Sequence, residues 1–213
     1  MPVVETARRK IRLAVGVAAL ALSSVTLAGC TTDSTSHEQR KDRYGGAPSV
    51  TIDFDDAGAK QIGVTTAALS ARVIGSDRDD IEIRRSFEFT DGDKPEERIA
   101  SDGSDLMISA SCPDRFAVGS PTCIARYEIA VPYGTAVQGN SISGELTVTD
   151  TRAAVDLNSR HGDVTLVAGP GGYAVDAASA TGTSTIEVPQ DPAGIPVRLR
   201  SGDGAVSATT APR

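Results

Sequence analysis

Residues 155–166 read VDLNSRHGDVTL, and the meaning of that stretch decides the fold. It sets His161, one of only two histidines in the chain, beside a glycine and an aspartate. Taken alone, the trio suggests a site. Its valine, serine and glycine, however, recur at the same spacing: Val137–Ser141–Gly144, Val155–Ser159–Gly162, Val175–Ser179–Gly182 and Val197–Ser201–Gly204. The copies lie 18, 20 and 22 residues apart. Two and four residues past each glycine stand Leu146 and Val148, Val164 and Leu166, Ser184 and Ile186, Val206 and Ala208. His161 is replaced in the other copies by Ser143, Thr181 and Asp203. The histidine is the part that varies, so it reads as an exposed turn residue.

A repeat of about 20 residues with two short alternating segments has a physical meaning. Each copy is a coil of two strands joined at a glycine, and no coil buries its apolar face alone, so coils stack. The expected fold class is all-β: a β-solenoid-like stack of short strands, with a β-sandwich of similar hairpins as the alternative. Gly144, Gly162, Gly182 and Gly204 would serve where the chain turns with positive φ or where backbones crowd. The serine three residues earlier is placed to hydrogen-bond the turn backbone. The repeat coils run from about 135 to 210. The loops VAGPGGY and VPQDPAGIP absorb the changes in step.

Upstream, period-two alternation continues in SVTIDF, DIEIRRSFEF, DLMISA and IARYEIAV, with turn residues between them. This is the pattern of half-buried strands. The segment DDAGAKQIGVTTAALSARV has some helical content but is rich in glycine and β-branched residues, which weakens a helix. With no Trp, four Tyr and four Phe, the core is filled by small and branched side chains. That favours thin β layers.

The N-terminus has another character. Arg8, Arg9, Lys10 and Arg12 precede an apolar run from Leu13 to Thr26, and LAGC, residues 27–30, follows. This order is that of a secretory signal over residues 1–29, and the run is too short for a comfortable membrane span. LAGC resembles the lipobox of bacterial lipoproteins. The resemblance implies diacylglyceryl transfer to Cys30, which becomes the first mature residue and anchors the chain in the cell membrane through its acyl chains. Arg8 and Arg9 leave open whether export is general secretory or twin-arginine. Residues 30–48, polar and without apolar period, read as a flexible tether carrying His37. The all-β domain then spans 49–210.

Net charge is −7, and removal of residues 1–29, with Glu5 against four basic side chains, takes it to about −10. An acidic chain argues against nucleic acid as a partner. Cys112 and Cys123 form an even pair, and outside the cytoplasm such a pair is most simply a disulfide. The loop between them holds Pro113, Gly119 and Pro121. It reads as a stapled hairpin or a long strand connection, worth roughly 2–4 kcal/mol.

Three chemistries were weighed on the remaining polar residues. A serine triad needs a histidine beside a nucleophile, and only His161 offers itself. Calcium could use the turn acids Glu145, Asp163 and Asp203, but Thr183 breaks the column and the period is about double that of calcium-binding nonapeptides. Polysaccharide chemistry would use a row of outward residues on successive coils. Asp156 and Asp176 stand at equivalent positions one coil apart, with Arg198 next, and form a candidate binding row. Tyr133 and Tyr173 fall near turns, but in a chain with no Trp they alone are thin support for packing against a sugar ring. The reading is no catalytic residue, no metal and no cofactor.

The phrase YEIAVPYGTAVQGNSISGELTV and the recurring S-x-x-G-[DE] phrases resemble the "putative adhesin" domain of bacterial envelope proteins. The resemblance covers roughly residues 50–210 and is strongest from Ile129 onward. It implies a repetitive β domain displayed at the envelope, and it brings no catalytic residues. The expected function is a non-catalytic surface scaffold or adhesion-type binding module, extracytoplasmic and membrane-anchored, that contacts an envelope polymer or a protein. One alternative is an envelope-stress sensor or accessory subunit of a membrane protein. A third is a polysaccharide-active enzyme.

Overall fold

The structure is a computed structural model that describes residues 35–55, 66–90, 94–113 and 122–211. The signal segment and Cys30 lie outside the described residues. Those residues form fifteen strands. The first seven are β1 (Thr35–Gly45), β2 (Ser49–Asp55), β3 (Thr66–Ser76), β4 (Asp80–Thr90), β5 (Glu96–Ser101), β6 (Asp105–Ser111) and β7 (Thr122–Pro132). The repeat supplies β8 (Ala136–Ser143), β9 (Leu146–Thr149), β10 (Val155–His161), β11 (Val164–Ala168), β12 (Tyr173–Ser179), β13 (Ser184–Glu187), β14 (Ile195–Ser201) and β15 (Val206–Thr210).

The chain is all-β, in two mixed sheets. Sheet I runs β1-β4-β7-β3-β9-β11-β15-β13, and sheet II runs β12-β14-β10-β8-β2-β6-β5. Each V–S–G copy gives its first strand to sheet II and its second to sheet I, and the glycine lies in the crossing between them. Neighbouring copies pair parallel and in register. Val137, Val155, Val197 and Val175 form one row of sheet II, and Leu146, Val164 and Val206 one row of sheet I. Those valines and leucines are buried except Val175, which is half-buried. Two upstream pairs stack the same way. β2 and β6 pair parallel in sheet II, and β3 and β7 pair parallel in sheet I. The stack therefore extends upstream of the four copies legible as a repeat.

The copies do not stack in chain order. β14 and β15 insert between the second copy and the third, so β12 and β13 form the outer end of both sheets. Residue chemistry explains the exchange. Val206 and Ala208 are buried at 1% and 0% exposure, whereas the corresponding Ser184 and Ile186 are exposed, Ile186 at 43%. The copy with the least apolar second strand occupies the end, where it has one neighbour instead of two. The segment after it folds back over β12, with Tyr173 N–H donating to the Pro189 carbonyl and Asp191 N–H to the Tyr173 carbonyl.

The opposite end is closed differently. β4 pairs antiparallel with β7, β5 antiparallel with β6, and β1 antiparallel with β4 along its whole length, from Thr35 against Thr90 to Gly45 against Asp80. The expected tether over 30–48 is thus a strand from Thr35 to Gly45. Its side chains are mostly exposed, as at an edge, so it shows no apolar alternation. The backbone ladder and charge pairs hold it instead, with Glu38 against Lys94, and Lys41 and Arg43 against Glu82. Both edges at this end carry many charges, HEQRKDR in β1 and EER in β5, which protects an unpaired edge from association.

Between the sheets lies one apolar core, including Val50, Ile52, Phe54, Ile81, Ile83, Leu106, Ile129, Leu157 and Leu199. Tyr127 packs on Phe54 and Phe87 with ring centroids 5.0 and 6.2 Å away. Cys112 and Cys123 form a disulfide. Cys112 follows β6 in sheet II, and Cys123 lies in β7 of sheet I. The bond therefore joins the two sheets where the chain crosses between them, as a strand connection and not a hairpin.

Candidate functional site

The serines of the repeat hold the coils together. Ser201 Oγ donates to the Gly162 carbonyl at 2.8 Å, Ser159 Oγ to Gly144 at 3.2 Å and Ser179 Oγ to Gly204 at 2.7 Å. Ser141 Oγ continues the line to the Leu69 carbonyl at 3.4 Å. Ser179 and Ser201 also accept the N–H of the glycine three residues on, Gly182 and Gly204, each at 2.9 Å. The turn bond expected from sequence exists at these two coils, and a second bond to the adjacent coil accompanies it.

Three of the four glycines are needed because backbones crowd. A Cβ on Gly162 would sit 2.2 Å from the Gly144 carbonyl oxygen, on Gly182 2.2 Å from that of Gly204, and on Gly204 2.2 Å from that of Gly162. At Gly144 crowding is joined by a φ of +142°.

His161 Nδ1 bonds the Asp203 carboxylate at 2.7 Å, and both side chains are more than half exposed. The two belong to neighbouring coils at equivalent turn positions. The hydroxyls of Ser159 and Ser201 donate to glycine carbonyls and not to His161. His37 stands exposed in β1. The turn acids are engaged one by one: Glu145 accepts from the Thr147 hydroxyl at 2.9 Å, and Asp163 accepts the Ala205 N–H at 2.7 Å. Tyr173 is fully buried and donates to the Gly169 carbonyl at 3.0 Å, while the Arg152 guanidinium covers the Tyr133 ring at 3.8 Å. Tyr173 therefore offers no face to a sugar, and Arg152 occupies one face of Tyr133.

The outward row lies on sheet II, and its order differs from the sequence expectation. Because β14 inserts between β10 and β12, Arg198 stands between Asp156 and Asp176 and not after them. The row continues through Gln138, Thr51 and Met107. A shallow depression of about 430 Å³ covers the charged part, floored by the small residues Ala136, Ala154, Ala174 and Pro196. Arg200, one row on, pairs with the Asp176 carboxylate and donates to its carbonyl at 2.8 Å. That bond, and then the charge of Arg198, hold the Asp176 carboxyl below its ordinary pKa. A general acid needs the reverse, a carboxyl raised toward neutrality. Asp176 is therefore held ionised, which does not suit a general acid.

A second surface was not visible in the sequence. On the outer face of sheet I, register aligns Lys41, Arg84, Glu128, Arg72 and Thr147 across β1, β4, β7, β3 and β9. Arg126 lies in the next row, against Ser86 and Ser70. These residues line a groove of about 760 Å³. Beside it, Glu82 is enclosed by four cations. Arg84 Nε lies at 2.9 Å, Lys41 Nζ at 3.0 Å, Arg43 Nη2 at 3.1 Å and Arg78 Nη2 at 3.7 Å. The hydrogen bond from Lys41, aided by Arg84, lowers its pKa to about 2. This corner is locally cationic within an acidic chain. Its residues come from five strands spread over positions 39–147, and each alone reads as an ordinary solvated charge.

No family model matches the chain, and no curated protein matches it. Several solved structures resemble it. One is described as a "putative cell adhesion protein" from Clostridium sporogenes, 12% identical over 82% of this chain and 100% of that one, with a TM-score of 0.49. A "putative adhesin" from Bacteroides fragilis is 12% identical over 83% of this chain and 98% of that one, with a TM-score of 0.33. Another, from Parabacteroides distasonis, is 7% identical over 81% of this chain and 97% of that one, with a TM-score of 0.26.

Proposed function

We propose that this chain is an extracytoplasmic lipoprotein, anchored in a bacterial cell membrane through Cys30, that serves as a non-catalytic scaffold or adhesion-type binding module of the envelope. The observation that carries the reading is the Cys112–Cys123 disulfide, which joins the two sheets of the stack. A structural disulfide belongs to an oxidising compartment. The basic, apolar and LAGC segments ahead of Cys30 supply the route there and the anchor. The serine hydroxyls beside His161 bind backbone, and Asp176 is held ionised by arginine, so the polar groups brace the stack and present flat, charged faces.

The experiment is palmitate labelling and membrane fractionation in a bacterial host. The wild-type chain takes label and sediments with membranes, and Cys30→Ala takes no label and appears in the soluble extracytoplasmic fraction. Label on Cys30→Ala, or an unlabelled wild type, overturns the anchor. A second reading, an accessory subunit docked on a membrane protein, draws on the edge strands β12 and β13, with Ile186 of β13 exposed. In-cell crosslinking separates the two, because one stoichiometric membrane partner favours the accessory role.

A further inference from the structure

We propose that the groove on the outer face of sheet I binds a linear polyanion of the cell envelope, with Lys41, Arg84, Arg126 and Arg72 each gripping oxyanions along one chain. The envelope location of that polymer rests on the function proposed above; the chemistry of the groove does not.

The argument begins with register. β1, β4, β7 and β3 are consecutive in sheet I, and each contributes one outward cation to the groove. Neighbouring strands lie about 4.8 Å apart, so the cations form a stepped line across the sheet, with diagonal steps of roughly 7–8 Å. Such a line matches a polymer that carries charge at every repeat better than it matches one small anion. Three of the four cations are arginines, whose planar forks bind phosphate or carboxylate in pairs of hydrogen bonds. Ser70, Ser86 and Gln39 add neutral polar groups along the same path.

The cations are available. Among the described residues, no ion pair or side-chain hydrogen bond engages Arg72. Arg126 reaches Glu88 only at 3.8 Å, and Arg84 reaches Glu128 at 3.7 Å. Lys41 and Arg84 share Glu82 with Arg43 and Arg78, of which Arg78 lies closer to Asp80, at 2.6 Å, so four cations meet the two carboxylates of Glu82 and Asp80. The Arg84–Glu128 and Arg126–Glu88 pairs lie at the surface, where such pairs are worth about 0–1 kcal/mol and can exchange for a ligand oxyanion, whereas the bonds to buried Glu82 stay in place.

Shape favours a chain over a bilayer. The surface is a groove, and Glu128 and Glu145 stand within its lining. A flat anionic membrane would meet both carboxylates at once, whereas a single polymer chain can pass between them along the line of cations.

The test uses the purified full-length chain in detergent. Binding is measured to poly(glycerol phosphate), to polygalacturonate and to vesicles containing phosphatidylglycerol, across a series of salt concentrations. Wild type binds at least one of the two polymers, and affinity falls as salt rises. Arg72→Gln with Arg126→Gln weakens that binding about tenfold or more, two contacts of surface strength being lost. Arg198→Gln, on sheet II, leaves it unchanged. The polymer that binds identifies the oxyanion as phosphate or carboxylate. Binding to vesicles alone, to none of the probes, or with equal loss in Arg198→Gln overturns the proposal. Cys30→Ala leaves polymer binding intact, so a failed anchor and a failed groove give different results.

Discussion

Ser201 and Gly162 lie in neighbouring coils that are not neighbours in the chain's order of copies, yet the Ser201 hydroxyl donates to the Gly162 carbonyl at 2.8 Å. The same oxygen accepts the Gly204 N–H at 2.9 Å, so one buried hydroxyl closes its own turn and fastens the next. Ser201→Ala leaves both backbone groups short of a partner. It should lower stability by about 1–3 kcal/mol, roughly 3–10 °C in Tm for a domain of this size. Thermal unfolding followed by circular dichroism measures this, and a shift under about 1 °C would remove the serine line from the account. Ser179→Ala, at the half-buried end coil, should have a smaller effect than Ser201→Ala.

The glycine column makes a sharper prediction. A methyl group on Gly162 meets the Gly144 carbonyl oxygen at 2.2 Å, and that atom is backbone already bonded by the Ser159 hydroxyl. The coils must separate to admit it. Gly162→Ala should destabilise by about 1–3 kcal/mol or more. Gly134→Ala, with nothing within 4 Å of its added carbon, should change stability by less than about 0.5 kcal/mol. Equal urea midpoints for the two variants would refute crowding as the reason for the column.

Much of this was legible because the repeat is periodic in the residues that face inward. Val155, Ser159 and Gly162 recur since each copy meets the same neighbours, and recurrence separates them from His161 without any structure. What sequence spacing does not encode is which copy lies beside which. Arg198 was expected after Asp176, and it stands between Asp176 and Asp156 because β14 inserts there. β1 escaped notice for a different reason. An edge strand held by its backbone and by Lys41, Arg43 and Glu38 has no apolar face to alternate. The upstream copies were obscured because ten residues separate β2 from β3 and β6 from β7, which breaks the 20-residue step. The cationic groove draws on β1, β4, β7, β3 and β9, so only sheet order reveals that Lys41, Arg84 and Arg72 share a row.

The disulfide closes a segment of sequence separation 11 and also ties sheet I to sheet II. Reduction, or the paired change Cys112→Ser and Cys123→Ser, should cost about 2–4 kcal/mol, because the unfolded chain regains the conformational freedom that the bond denies it. The fold should survive, because the flanking strands β6 and β7 keep full ladders on both sides. Calorimetry with and without reductant is the measurement. A Tm independent of reductant would show that the bond adds nothing beyond the sheets.

Glu82 provides the pH dependence. Its carboxyl titrates at about 2 in the folded chain, against an ordinary value of 4.5, chiefly through the hydrogen bond from Lys41 and then Arg84. A folded-state pKa below the unfolded one contributes stability above the unfolded value, and that contribution is lost as pH falls through the folded value. The wild type should therefore exceed Glu82→Gln in stability by a constant margin above about pH 5, with the margin shrinking between about pH 4.5 and pH 2. Glu38, Asp102 and Asp176 also titrate low, but they are present in both proteins and cancel in the difference. Urea midpoints of the two proteins across that range test it. A margin that stays constant down to about pH 2 would mean that the four cations do not stabilise the ionised form of Glu82. The variant has a second consequence for the groove: Lys41 and Arg84 lose their shared carboxylate, so Glu82→Gln should bind the polyanion more tightly than wild type while folding less stably.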